Sequence, residues 1–210
     1  MANPWLDIPL EDYEAHMAAV RQQGVLSDLF AEALMVRRPG SVAVLGVAGG
    51  NGLERLERRL TRRIVGIDIQ PEYLEAVRNR FADLEGLELH CVDLTRAKLA
   101  AKPVDLVHTA LLLEHIAADA NALDRSLDNA IALIAPEGAL SVVLQLPGSK
   151  EEEVGSSGGA SIQRLKERFT LIAPKRLLEL LRARGLEPVW ETQRQQPNGK
   201  GFWLGIFLRP

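Results

Sequence analysis

VAVLGVAGGNGLERL, residues 42–56, is the stretch around which the rest of the chain is arranged. Val42, Ala43, Val44 and Leu45 read as a buried strand, and Gly46, Gly49, Gly50 and Gly52 crowd the bend that follows. Glycine is needed where the backbone takes positive φ or where a ligand must approach without a Cβ in the way. The apolar spacing after Gly52 predicts a helix to about Leu60. A strand that turns through glycines into a helix opens free N–H groups at the carboxyl edge of a sheet, where nucleotide-like ligands sit in open α/β folds. A tight connection with no ligand is the plain alternative.

Outward from this bend, strands and helices alternate. Upstream, Tyr13, Met17 and Val20 mark one face of a helix from Leu10 to Gln23, which Gly24 is expected to break. A second helix runs from Ser27, a candidate N-cap, to Arg37, and Pro39-Gly40 ends it. Downstream, RIVGIDIQ is a buried strand ending in Asp68, and Pro71 opens a helix to about Phe81. LELHCV (87–92) and VDLVHTA (104–110) are further strands, the first followed at once by Asp93. A helix from Asp119 to Ile134, a turn at 136–138 and the strand ALSVVLQL come next. A helix from Pro174 to Arg184 stops at Gly185, and the chain closes as strand, PNGK turn, strand.

This alternation implies right-handed crossovers and an α/β three-layer sandwich, with a mostly parallel seven-stranded sheet and a C-terminal antiparallel hairpin. The length, 210 residues, suits one domain: an N-terminal helical cap over 1–38 and a core over 39–210. Residues 147–163, rich in Glu, Gly and Ser, are expected to form a mobile loop, either a lid or a solvated excursion.

Composition narrows the function. The net charge of −3 gives no general attraction to nucleic acid or anionic membrane. A single cysteine, Cys91, excludes a disulfide framework and a multi-cysteine zinc site, and no metal centre is expected. The acidic, proline-punctuated start is no secretory signal, and no apolar run is long enough to span a bilayer. A soluble cytoplasmic protein is the expectation.

The glycine bend VLGVAGGNG, Asp68 after the second strand, Asp93 after the third and VDLVHTALLLEHI around the fourth occur in order. Together they resemble the class I S-adenosylmethionine (AdoMet) methyltransferase superfamily. The resemblance covers roughly residues 40–146 and the terminal hairpin, and it implies AdoMet as cofactor. It places Gly46, Val47, Ala48 and Gly50 beside the methionine and ribose, and Asp68 with its neighbour Ile69 at the ribose hydroxyls. It gives Asp93 and Leu94 to the adenine, and main-chain carbonyls around Thr109 and Ala110 to the methionine ammonium. Two positions depart from the pattern: Val44 stands where an acidic residue is common, and Ala48 replaces a glycine. Each carboxylate also has a structural reading, Asp68 in a surface turn and Asp93 as cap of a turn at Thr95.

Methyl transfer is an in-line displacement, so alignment can supply most of the catalysis, and a base is needed only for a protonated acceptor. Candidate polar groups are Glu114 and His115 after the fourth strand, and Tyr13 and His16, which share a face of the first helix. The Asn/Asp-Pro-Pro-aromatic motif for exocyclic amines of bases is absent, which favours a small-molecule acceptor over nucleic acid. The cluster Arg55, Arg58, Arg59, Arg62 and Arg63 reads as a solvated helix face paired with Glu54 and Glu57. A homodimer is compatible with the sequence. A nonenzymatic AdoMet-binding protein and a nicotinamide oxidoreductase are the alternatives, the latter fitting G-x-G-x-x-G poorly.

Overall fold

In the computed structural model, residues 3–147, 162–163, 169–196 and 199–210 are described. Seven strands form one sheet in the order β3-β2-β1-β4-β5-β7-β6. They are β1 Ser41–Leu45, β2 Arg63–Asp68, β3 Leu87–Cys91, β4 Val104–Ala110, β5 Ile134–Leu146, β6 Glu187–Gln195 and β7 Gly201–Leu208. Strands β1 to β5 pair in parallel, and β7 runs antiparallel between β5 and β6. The expected mixed sheet and terminal hairpin are therefore present. The sequence order reverses at β1, which lies between β2 and β4, and ligands of open α/β sheets bind outside such a switch point.

Alternation along each strand divides the core into two layers. Leu45, Ile67, Val107 and Val142 pack with Leu123 and Leu127 of α5 (Ala120–Ala132) and with Leu177 and Leu181 of α6 (Pro174–Arg182). Val44, Ile64, Leu106 and Val143 meet Leu29, Phe30 and Ala33 of α2 (Gln22–Arg37) and Leu74 and Val77 of α3 (Pro71–Arg80). Pro71 and Pro174 open their helices as expected, where the missing N–H is not needed. Asp119 caps α5 by accepting the Ala122 N–H.

Several local expectations are corrected. The first helix, α1 (Leu10–Ala19), ends before Arg21, which is left-handed at φ 56° and has its carbonyl held by Gln196 Nε2 at 2.6 Å. Gly24 lies inside α2 and does not break it. Ser27 is not a cap but is buried mid-helix; its hydroxyl donates to Glu54 Oε1 (2.6 Å) and accepts from Arg55 Nε (2.9 Å). These same bonds remove the helix expected over 52–60. Gly52 takes φ +93°, Glu54 turns back onto the Gly52 N–H, and Leu56 is extended, so only a 3-10 turn forms at Leu53–Arg55. The arginines accordingly pair across elements, Arg55 with Asp28, Arg58 with Asp83 and Arg63 with Glu88. β5 also begins earlier than expected and runs through Pro136-Glu137-Gly138. A short helix unmarked in the sequence, α4 (Leu112–Ile116), follows β4 after a left-handed Leu111. Residues 148–161, most of the expected mobile loop, lie outside the described residues. Among those described, no helix is long and apolar enough to cross a membrane.

Candidate functional site

The bend after β1 is fixed by its own backbone. Gly46 and Val47 both donate to the Ile67 carbonyl, at 2.9 and 3.0 Å, and Ala48 N–H donates to Asp68 Oδ2 at 2.9 Å. Asp68 Oδ1 accepts from Gln70 N–H at 3.0 Å. Burial raises the Asp68 pKa, and the main-chain bonds from Gln70, Ala48 and Ile69 oppose that rise. A carboxylate has about four lone-pair sites and these three donors take at most three, so Asp68 can still accept from another donor.

The four glycines divide by role. A Cβ on Gly50 (φ +88°) would strike the Phe81 ring, and one on Gly52 would strike Phe30, so packing requires both. Gly46, Val47, Ala48 and Gly49 instead line a cleft with Tyr13, Glu14, Met17, Phe30, His108 and Ala110. It holds about 600 Å³ of space outside the atoms, partly continuous with solvent.

The β3 tip adjoins this bend, since Val92 N–H donates to the Asp68 carbonyl at 2.9 Å. Asp93 caps the turn beyond it: Oδ1 accepts Thr95 N–H (2.9 Å) and the Thr95 hydroxyl (2.6 Å). Leu94 is buried, and its carbonyl accepts from Asn129 Nδ2 at 2.7 Å. The Ile69 carbonyl receives the Cys91 thiol at 3.4 Å. Ala110 is in the cleft wall, whereas the buried Thr109 alternates to the other face, its hydroxyl without a partner.

The N-terminal segment covers the site from above. Gln70 Nε2 donates to the carbonyls of Trp5 (2.8 Å) and Ile8 (3.4 Å), and the Tyr73 hydroxyl donates to Ile8 O at 3.0 Å. Helix α1 is thereby held across the bend, with Tyr13 between Trp5 (5.8 Å between ring centroids) and Tyr73 (6.0 Å). Burial and the Asp68 charge both raise the Tyr13 pKa, which places the phenol near that carboxylate. Glu14 pairs with Arg80 of α3, Arg80 Nη2 to Oε2 at 2.9 Å, and Arg80 Nη1 also donates to the Gly49 carbonyl at 3.1 Å. Trp5 is the aromatic of an irregular lead-in expected to dock on the domain, whereas no sequence pattern flagged Gln70, Tyr73 or Arg80. Their signal is tertiary, because each acts on an element distant in sequence.

Of the candidate acid–base groups, three converge. His115 lies edge-on to Trp5 and Phe169, both at 4.8 Å, and burial and the His16 charge lower its pKa to about 4. His16 is thus beside it on α1, as Tyr13 is through Trp5. Glu114 is fully buried and turns away: Oε1 accepts Gln145 N–H at 2.7 Å, Oε2 has no partner, and burial pushes its pKa up to about 8. It is a neutral carboxyl at pH 7. His108, in the cleft floor, bonds Ser141 Oγ through Nδ1 at 3.0 Å, and burial lowers its pKa to about 3.

This arrangement fits AdoMet. An open backbone stretch, a carboxylate with lone pairs to spare and a neighbouring strand tip meet at the switch point. Among the described residues, no group of His, Cys, Asp or Glu could hold a metal ion.

Residues 42–138 match the profile of a methyltransferase domain. None of the curated proteins matches the sequence. Among solved structures, the N-methyltransferase NodS from Bradyrhizobium japonicum WM9, bound to S-adenosyl-L-homocysteine, is similar. It is 20% identical, with 97% of this chain and 89% of that chain covered and a TM-score of 0.64. The complex of DhpI with SAM and HEP is similar at 18% identity, 95% and 92% coverage and a TM-score of 0.64. The [4+2]-cyclase SpnF shares the architecture at 15% identity, 88% and 80% coverage and a TM-score of 0.67. Likeness at such identities shows the fold, and one fold hosts several chemistries. The match over residues 42–138 and the fold shared with AdoMet- and S-adenosylhomocysteine-bound structures point the same way as the site. Over residues 42–138 the chain is similar to methyltransferase domains, and its fold is that of AdoMet-dependent methyltransferases.

Proposed function

We propose that this chain, acting as one 210-residue cytoplasmic domain, methylates a small-molecule acceptor by in-line displacement. The observation that carries the reading is α1 laid across the glycine bend. It closes one side of the cleft beside Gly46, Val47 and Ala48 with Tyr13, Glu14 and Met17. A macromolecule would have to displace Trp5, Tyr13 and the Glu14–Arg80 pair to reach Gly46. The ion pairs of Arg55, Arg58 and Arg63 with carboxylates also leave little of the basic cluster for a phosphate backbone.

Bound AdoMet supplies an electrophilic methyl group on a sulfonium. Around it, Gly46, Val47 and Ala48 provide close main-chain contact, and Asp68, with the adjoining Ile69, accepts from the ribose hydroxyls. Asp93 and Leu94 border the adenine, and carbonyls at Thr109 and Ala110 lie toward the methionine end. Gly50 contributes indirectly, by letting Phe81 brace the bend. Tyr13, His16 and His115 border the acceptor. His115 Nδ1 has no hydrogen-bond partner and is the ring atom open to a proton from the acceptor, while the burial that lowers its pKa keeps the ring neutral and weakens it as a base. Glu114 acts behind them, anchoring the end of β5 through Gln145.

The test is a structure with S-adenosylhomocysteine and a turnover screen over amine, phenol, carboxylate and thiol acceptors. Transfer to a small acceptor, lost in His115→Ala, supports the reading. Transfer confined to protein or nucleic acid overturns it.

A further inference from the structure

We infer that Glu14 and Arg80 form the receptor for the amino-acid end of AdoMet, Glu14 taking the α-ammonium and Arg80 the α-carboxylate. This rests on the cofactor and not on any identification of the acceptor.

The place of the pair argues for it. Glu14 lines the cleft with Gly46, Val47, Ala48 and Gly49, the stretch of bend open to a ligand. A Cβ added to Gly49 would collide with the Glu14 carboxylate and with the Arg80 guanidinium. Gly49 is not among the residues with positive φ. Space, not backbone conformation, is what glycine supplies there, and the charge pair occupies it.

Energetics argue the same way. The Glu14 and Arg80 side chains are 30% and 46% exposed. Ion pairs this open to water add little to stability, so stability gives weak reason for a bidentate pair on the cofactor bend. A half-solvated pair also exchanges partners at little cost. Replacing one internal contact with two to a zwitterion conserves charge and removes no charge from water unpaired. An α-amino acid end is such a zwitterion, and an isolated carboxylate or amine is not.

Sequence supplies the remaining reason. Val44, two residues before Gly46, is 8% exposed and apolar, so β1 brings no acid toward the ammonium. Glu14 brings one from α1 instead.

The experiment compares S-adenosylhomocysteine with 5′-methylthioadenosine, the same nucleoside thioether without the amino-acid end, by calorimetry on the full chain. Glu14→Gln is expected to weaken S-adenosylhomocysteine by roughly tenfold or more, as for a lost hydrogen bond to a charged group. Methylthioadenosine affinity should stay within about twofold. The charge-swapped variant Glu14→Arg/Arg80→Glu re-forms an ion pair with reversed polarity. It should melt near the wild type yet still bind S-adenosylhomocysteine weakly. Equal loss of both ligands, loss of neither, or recovery of S-adenosylhomocysteine affinity in the swapped variant would overturn the assignment. No acceptor enters the measurement, so failure of the small-molecule reading leaves its result unchanged.

Discussion

Asp68 Oδ2 accepts the main-chain N–H of Ala48 at 2.9 Å, across twenty residues of sequence. The tip of β2 and the bend after β1 are therefore fastened together by protein groups alone, which orients the carboxylate. Preorganisation of this kind lowers the ordering cost of binding.

Asp68→Ala is expected to weaken S-adenosylhomocysteine binding by about 1.5–3 kcal/mol, the range for hydrogen bonds to a charged group. Calorimetry checks it, and unchanged affinity would take Asp68 out of the ribose role.

Two glycines should respond with opposite signs. Gly24 is inside α2 with open space where a Cβ would go, so Gly24→Ala should stabilise the fold by about 0.5–1 kcal/mol. Gly50 has φ +88° and the Phe81 ring against it, so Gly50→Ala should destabilise by roughly 1–3 kcal/mol. Urea denaturation of both variants measures the contrast.

Gln70→Ala removes the donor to the Trp5 and Ile8 carbonyls. Leaving such a carbonyl unpaired costs about 1–3 kcal/mol, and the loss should be local. Hydrogen exchange should quicken over residues 5–13 while the amides of β1 and β4 keep their protection. Uniform loss across the sheet would mean that the segment is integral to global stability.

Stability should decline as pH rises above 6.5. His108 and His115, with pKa values lowered to about 3 and about 4, are neutral in the fold but take up protons when unfolded below 6.5. Their contribution is lost as pH falls through that window. Glu114, raised to about 8 from 4.5, holds a proton in the fold that the unfolded chain releases, so its contribution declines as pH rises from 4.5 to 8. Asp68, also raised by burial, acts in the same direction as Glu114, so the two carboxyls oppose the two histidines at acid pH and prevail above 6.5. Thermal melts should follow this curve, and Glu114→Gln should flatten its alkaline side.

The mostly parallel sheet, its antiparallel terminal hairpin and the place of Asp68 at the end of β2 were legible because apolar runs and the glycine bend are local signals. What escaped was decided by partners remote in sequence. Gly24 looked like a helix break, but the break is at Arg21, where Gln196 from the terminal hairpin holds the carbonyl. Ser27 looked like a cap until Glu54 and Arg55 converged on its hydroxyl. Glu114 and His115 are adjacent in sequence, yet one turns into β5 and the other toward Trp5, a split set by α4, which carries no cap signal. Tyr13 was legible as one face of a helix, but its neighbour Glu14 depends on Arg80, 66 residues away.

The single 3-10 turn at Leu53–Arg55 has an electrostatic consequence. A long helix starting at the bend would aim roughly half a unit of positive charge at whatever sits there, a field that welcomes pyrophosphate and repels a sulfonium. With so few aligned peptide dipoles, this edge of the sheet presents almost no such potential. A cofactor that carries its reactive positive charge and no phosphate meets little resistance on entry, whereas a dinucleotide would forgo the attraction it ordinarily relies on.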